Sequence, residues 1–189
     1  MHSLAAVIMR VFFRIQVTGA QNLPEKGGFI LVSNHASYLD PMALGAGCSR
    51  KLNFMAKEEL FRSRASRWFF TALGAFPVKR NSADLSALKE AMRRVKQDQV
   101  LVLFPEGTRQ ADGSPSAPYP GVGFLAAKLN VPVIPAAITG TGAAFPKGAR
   151  RVRFVKVYLR FGRQISIERR MPYQDIARQI MENIRHLAC

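Results

Sequence analysis

Val100-Leu101-Val102-Leu103-Phe104-Pro105-Glu106-Gly107-Thr108-Arg109 is an unbroken apolar run followed at once by a turn carrying a carboxylate, a hydroxyl and a guanidinium. An apolar run without polar alternation reads as a strand covered on both faces, as in the interior of a parallel sheet. Ligands of open α/β sheets gather outside the carboxyl ends of the strands, so Glu106, Thr108 and Arg109 stand where a substrate would be met. Phe29-Ile30-Leu31-Val32-Ser33 repeats the arrangement and empties into Asn34-His35-Ala36-Ser37-Tyr38-Leu39-Asp40. Two polar clusters therefore leave two core strands.

Working outward, β-rich apolar runs also occur at Leu52–Met55, Phe76–Val78, Val131–Ile138 and Val152–Phe161, with helical patterns between most of them. That alternation predicts a single-domain α/β fold, with a mixed, largely parallel sheet flanked by helices. Between Phe76 and Val100, Asn81 or Ser82 is expected to cap a helix with Leu85, Leu88, Met92 and Val95 on one face. Pro172 opens the last helix, striped by Ile176, Ile180, Ile184 and Leu187. The only long loop-like segment, Gln110 to Gly121, is rich in Ser, Pro and Gly.

Residues 1–16 form an N-terminal amphipathic segment ahead of a domain over 17–189. Leu4, Val7, Ile8, Val11, Phe12 and Ile15 recur at helical spacing, with Arg10 and Arg14 on another face. Such a helix suits either a membrane surface or the protein's own core, and Phe12 to Val17 could also begin a strand. No apolar run approaches the roughly 18 residues needed to span a bilayer.

Lys and Arg number 28 against 12 Asp and Glu in 189 residues, a formal charge of +16. The resulting field attracts polyanions: nucleic acid, anionic lipid or an acidic protein. Cys48 and Cys189, with His2, His35 and His186 scattered, make neither a disulfide framework nor a metal-ligand cluster, and the default setting is reducing and cytosolic. No metal or cofactor is expected.

His35 is the only histidine outside the terminal segments, and its ordinary pKa of about 6.5 suits proton abstraction near neutrality. A carboxylate that fixes the tautomer and stabilises the imidazolium improves such a base, and Asp40 lies five residues on. Five residues along a continuous helix is about 500°, so the segment must turn between them. Asp40-Pro41 supplies the turn as an N-cap followed by a first helical residue. There is no G-x-S-x-G elbow and Cys48 has no nearby histidine, so direct attack by an acceptor hydroxyl fits better than a covalent intermediate.

Asn34-His35-x-Ser37-x-x-Asp40 resembles the H-x4-D signature of the glycerolipid acyltransferase family. Gly74 to Arg80 resembles that family's second block, Phe104 to Arg109 its third and Val131 to Pro135 its fourth, all in order over roughly residues 17 to 165. The resemblance implies that residues 17–189 are an acyltransferase domain. In it, His35 and Asp40 are the catalytic pair, and Arg80, Glu106, Gly107, Thr108 and Arg109 bind the acceptor's glycerol phosphate. Asn34, Ser37 and Lys79 support the site, and Pro135 shapes the end of its strand nearby. The implied reaction moves a fatty-acyl group from acyl-CoA or acyl carrier protein to a lysophospholipid, foremost 1-acylglycerol-3-phosphate, or else to another lysolipid or glycerol-3-phosphate. One departure is local: where the family often has Phe-Lys-x-Gly, this chain reads Pro118-Tyr119-Pro120-Gly121.

Lys147, Arg150, Arg151, Arg153, Lys156, Arg160 and Arg163 form a basic stretch without an acid, and Arg62, Arg64 and Arg67 precede Trp68-Phe69-Phe70. Cations beside interfacial aromatics suit an anionic membrane surface, giving an expected peripheral attachment to the cytoplasmic face. A nucleic-acid-binding module is the rival from another class, motivated by a sequence pI of about 10.9. It lacks a recognisable helix-turn-helix, finger or RNA-recognition pattern and leaves both polar clusters unexplained, so no nucleic-acid partner is expected. A hydrolase using His35 to activate water is the rival among enzymes.

Overall fold

The computed structural model describes residues 2–79, 84–109, 117–146 and 148–188. Arg80, Asn81, Ser82, Lys147 and residues 110–116 of the long loop lie outside them. Strands β1 (Gln16–Thr18), β2 (Phe29–Ser33), β3 (Leu52–Lys57), β4 (Ala75–Val78), β5 (Val100–Leu103), β6 (Val133–Thr139) and β7 (Tyr158–Phe161) form one sheet in the order β1-β7-β6-β2-β5-β3-β4. Every pairing is parallel except β6 with β7. The helices are α1 (His2–Val11), α2 (Asp40–Gly47), α3 (Arg64–Ala72), α4 (Leu85–Lys96), α5 (Pro120–Leu129), α6 (Thr141–Ala144) and α7 (Tyr173–Ala188).

Alternate residues of the central strands serve opposite faces, which is why their sequences carry no polar alternation. Phe29, Leu31, Val100 and Val102 join a cluster with Met9, Phe13, Ala43, Leu44 and Phe61. Ile30, Val32, Leu101 and Leu103 join another with Ala91, Val95, Leu125, Ile176 and Ile180. Helices α1, α2 and α3 thus cover one face, while α4, α5 and α7 cover the other. Helix α5 lies so close to α7 that a Cβ on Gly123 would stand 2.0 Å from the Tyr173 carbonyl oxygen. Glycine is the residue that admits this approach.

Several elements differ from their sequence expectation for local reasons. The last helix buries Ile176, Ile180 and Ile184 as its stripe predicts. Helix α4 is capped by Asp84, whose side chain accepts from the Ser86 and Ala87 amides. Its sheet-facing side is built on Ala87, Ala91 and Val95, with Leu88 and Met92 alongside, and Leu85 turns to solvent. Strand β6 begins at Val133 because Asn130 is left-handed (φ 53°) and Pro132 has no N–H to donate. Of Val152–Phe161 only the last four residues are strand. Arg153 N donates instead to the Ala144 carbonyl, and Val157 N to that of Phe13.

Helix α1 packs on the core along one side and leaves the other exposed. Met9 and Phe13 are buried in the core and Ile8 packs against it. Most of the sequence-derived stripe faces outward: Leu4, Val7, Val11 and Phe12 are exposed. The helix ends at Val11, Arg14 adopts φ 44°, and β1 follows at Gln16. No described helix is long and apolar enough to cross a membrane.

Candidate active site

The carboxyl ends of three adjacent central strands, β6, β2 and β5, deliver the polar segments to one place. β2 pairs with β6 up to Ser33 opposite Ala136, and there its main chain leaves the sheet. Asn34 continues the pairing with its side chain. Its Nδ2 donates to the Ile138 carbonyl at 2.8 Å, and its Oδ1 accepts from the Ile138 amide at 2.8 Å. The backbone is thereby free to turn while its root stays fixed.

Asp40 organises that turn. Its buried Oδ2 accepts from the amides of Ala36 and Ser37, each at 2.8 Å, and meets His35 Nδ1 at 2.8 Å. This corrects the sequence reading of Asp40 as the cap of α2. The residue before that helix is Leu39, with no side-chain cap, and Asp40 is its first residue, reaching back over the loop. Oδ1 is buried and finds no partner among the described residues. Ser37 donates through Oγ to the Phe145 carbonyl at 2.9 Å and accepts from the Leu39 amide at 3.2 Å, tying the loop to the segment after α6.

His35 is held on its other sides by residues of the β5 exit. Its ring stacks on Phe104, with centroids 4.1 Å apart, and its own amide donates to Glu106 Oε2 at 3.0 Å. A carboxylate that accepts both local amides selects the Nδ1–H tautomer of its histidine partner, leaving Nε2 as the nitrogen able to take a proton. The ring is mostly enclosed, at 16% side-chain exposure. Burial raises the Glu106 pKa above its ordinary value, opposed by the His35 amide bond and the imidazole.

Gly107 adopts φ +64°, and a Cβ there would meet the Tyr119 ring at 2.5 Å. The Tyr119 amide also donates to the Pro105 carbonyl at 2.9 Å. Tyr119, standing where the sequence comparison called for a lysine, thus packs over the turn. The Arg109 guanidinium carbon sits 3.5 Å from the centre of the Tyr38 ring.

His35, Asp40, Asn34, Ser37, Glu106, Gly107 and Arg109 therefore converge from two strand exits. Thr108 is exposed on the same turn. Lys79 is exposed at the end of β4, its amide donating to Asp84 Oδ2, while Arg80 lies outside the described residues. Pro135 corrects an expectation: it lies early in β6, level with Val32 and buried, rather than at the strand's site end. Phe104 and Tyr38 are neighbours that the sequence reading did not assign. Their signal was position alone, the last apolar residue of one strand run and the residue amid the H-x4-D spacing.

A model of the family described as Acyltransferase matches residues 14–139. The chain is 32% identical over 151 residues to the chloroplastic 1-acyl-sn-glycerol-3-phosphate acyltransferase BAT2 of Brassica napus, covering 78% of this chain and 44% of that protein. It is 29% identical over 150 residues to the 1-acyl-sn-glycerol-3-phosphate acyltransferase of Bacillus subtilis, covering 77% and 74% respectively. The crystal structure of the 1-acyl-sn-glycerophosphate acyltransferase PlsC from Thermotoga maritima superposes with a TM-score of 0.79 at 25% identity, over 98% of this chain and 79% of that one. The chain thus spans less than half the length of the plant relative.

Proposed function

The chain belongs to the acyltransferase family, and from that premise we propose that it transfers a fatty-acyl group from an acyl thioester to the free hydroxyl of 1-acylglycerol-3-phosphate, giving phosphatidic acid. The observation that carries the reading is the 2.8 Å contact of His35 Nδ1 with buried Asp40 Oδ2, beside a turn that presents Arg109. Relatives named for this acceptor support its choice.

The geometry supports the following course. His35 Nε2 takes the proton of the acceptor hydroxyl as its oxygen attacks the thioester carbonyl, and Asp40 balances the imidazolium that forms. A tetrahedral intermediate collapses with the new C–O bond kept and the C–S bond broken. The proton on Nε2 passes to the departing sulfur, so the histidine returns neutral and no acyl-enzyme forms. Arg109 pairs with the acceptor phosphate through its fork of N–H donors. Glu106 holds the His35 main chain.

The test is a matrix of purified protein with oleoyl-CoA or oleoyl-acyl carrier protein as donor. The acceptor arms are lysophosphatidate, lysophosphatidylcholine, glycerol-3-phosphate and none, read by lipid mass spectrometry and thiol release. The proposal expects product with lysophosphatidate, thiol release that depends on acceptor, and loss of both in His35→Ala. Wild-type turnover by His35→Ala overturns the mechanism, and acceptor-independent thiol release overturns transfer in favour of hydrolysis.

Substrates of this kind reside in bilayers, and the charge layout supports peripheral attachment of the α1–α3 face to an anionic one. Phe154, 68% exposed, lies tilted against exposed Phe12 with ring centroids 5.3 Å apart, and Leu4, Val7 and Val11 are exposed on α1. On the same sheet face, α3 exposes Trp68 and Phe69, and Leu73 just after it is also exposed. Residues 1–24, 62–79 and 148–157 contain only basic charges, with Glu58 and Glu59 exposed just ahead of α3, whereas Glu90, Asp175 and Glu182 lie on helices of the opposite layer. Each cation near such a surface adds about 1 kcal/mol. Flotation with phosphatidylcholine vesicles, with and without phosphatidylglycerol, tests this: recovery should be greater with phosphatidylglycerol at low salt and the difference should shrink at high salt, and equal recovery on both at low salt refutes it.

A further inference from the structure

We infer that Tyr38 is the positioning residue that holds the Arg109 guanidinium open for a phosphate monoester, an inference that rests on the function proposed above. A guanidinium can be pinned by its edge or by its face. An edge-on ion pair with a carboxylate consumes the N–H donors that a phosphate needs, whereas a ring against its face leaves all of them available.

Arg109 is pinned by its face. Its central carbon lies 3.5 Å from the Tyr38 ring centre, and among the described residues no carboxylate pairs with it. The Tyr38 ring is 58% exposed and has Phe145 tilted beside it at 6.3 Å. Its main chain belongs to the loop fixed by Asp40 and Ser37, the same loop that carries His35. Arg109 descends from a separate strand exit, whose turn is held by Tyr119 against Gly107.

The Glu106 bond to the His35 amide and the Phe104 stack join the two strand exits at the base, and Tyr38 is the contact that ties the Arg109 side chain itself to the loop bearing His35. An acceptor that satisfies both must carry a free hydroxyl and an anionic phosphate on one short backbone.

A double-mutant cycle on lysophosphatidate transfer tests this with wild type, Tyr38→Ala, Tyr38→Phe, Arg109→Ala and the Tyr38→Ala/Arg109→Ala pair. Loss of a cation–π contact between exposed and desolvated limits predicts that Tyr38→Ala raises KM roughly three- to thirty-fold, with kcat nearly unchanged. Phe keeps the ring face, so Tyr38→Phe should restore the wild-type KM. In the Arg109→Ala background, Tyr38→Ala should add less than about twofold, because the contact is already gone. An unchanged KM in Tyr38→Ala, failure of Phe to restore it, or fully multiplicative effects in the pair overturns the inference. A wild type that transfers while ignoring Tyr38 refutes this step alone; a wild type without transfer refutes the proposed function and this step with it.

Discussion

Replacing Asp40 by Asn should slow transfer by about 10³-fold while the protein still folds, and the magnitude follows from what converges on Oδ2. That oxygen faces three partners, the amides of Ala36 and Ser37 and His35 Nδ1, each at 2.8 Å. An Asn amide must present its carbonyl oxygen to them, because its NH2 group would face amide donors. The loop then keeps its acceptor, and the NH2 takes the place of Oδ1, which is buried without a described partner. An unmet buried donor costs about 1–3 kcal/mol, partly offset because a carboxylate no longer has to be desolvated. The unfolding midpoint should fall by about 3–10 °C.

The chemical step loses more. An imidazolium and a carboxylate with charge centres about 4 Å apart attract by about 4 kcal/mol at the effective dielectric of a protein site, which converts to about 10³ in rate. Thiol release measured against lysophosphatidate concentration gives kcat, and circular dichroism gives the midpoint. Asn keeps an oxygen for the Ala36 and Ser37 amides, so a folded Asp40→Asn variant within about tenfold of wild type would return Asp40 to a purely structural part and refute the pairing argument.

Glu106→Gln should change the pH dependence of stability. Burial makes folded Glu106 bind its proton to higher pH than the unfolded chain, so its contribution to stability falls as pH rises from the ordinary carboxyl value of 4.5 through the raised one. The difference in unfolding midpoint between wild type and Glu106→Gln should therefore shift against the wild type across that window, and a constant difference would contradict it. Glu90 has the opposite sign: hydrogen bonds from Arg93 and Arg94 lower its pKa to about 2. Its stabilisation is complete above the ordinary value and is lost as pH falls toward 2. Glu90→Gln should cost about 0.2–1 kcal/mol at neutral pH in chemical denaturation and progressively less in acid. Gly123→Ala places a methyl against the Tyr173 carbonyl and should destabilise by about 1–3 kcal/mol, with denaturation midpoints as the check.

The fold and the His35–Asp40 contact were legible in the sequence to the extent that each is local or periodic. β2 and β5 announce themselves because both faces are covered, and α7 because its isoleucines repeat at helical spacing. Helix α1 misleads for the same physical reason in reverse: its most visible apolar stripe is the outward one, and the core takes Met9 and Phe13. Asp40 was assigned to the correct partner but the wrong helix role, because five-residue spacing does not say which way a side chain reaches. The hold of Glu106 on the His35 amide joins residues 71 apart, and the Tyr38–Arg109 stack joins two strand exits. Neither leaves a periodic trace in one chain.

The amide of Asn34 amounts to a counterfeit peptide group, offering Ile138 one donor and one acceptor just where the true backbone departs. Few side chains can pass as one. Asp has no donor to offer the Ile138 carbonyl, and Ser has a single oxygen to answer two groups. Gln carries the right atoms on a longer stem, which carries the forgery past its mark. Position 34 is accordingly defined by reach and hydrogen-bond polarity together, and it anchors the root of the loop that carries His35 without touching the imidazole.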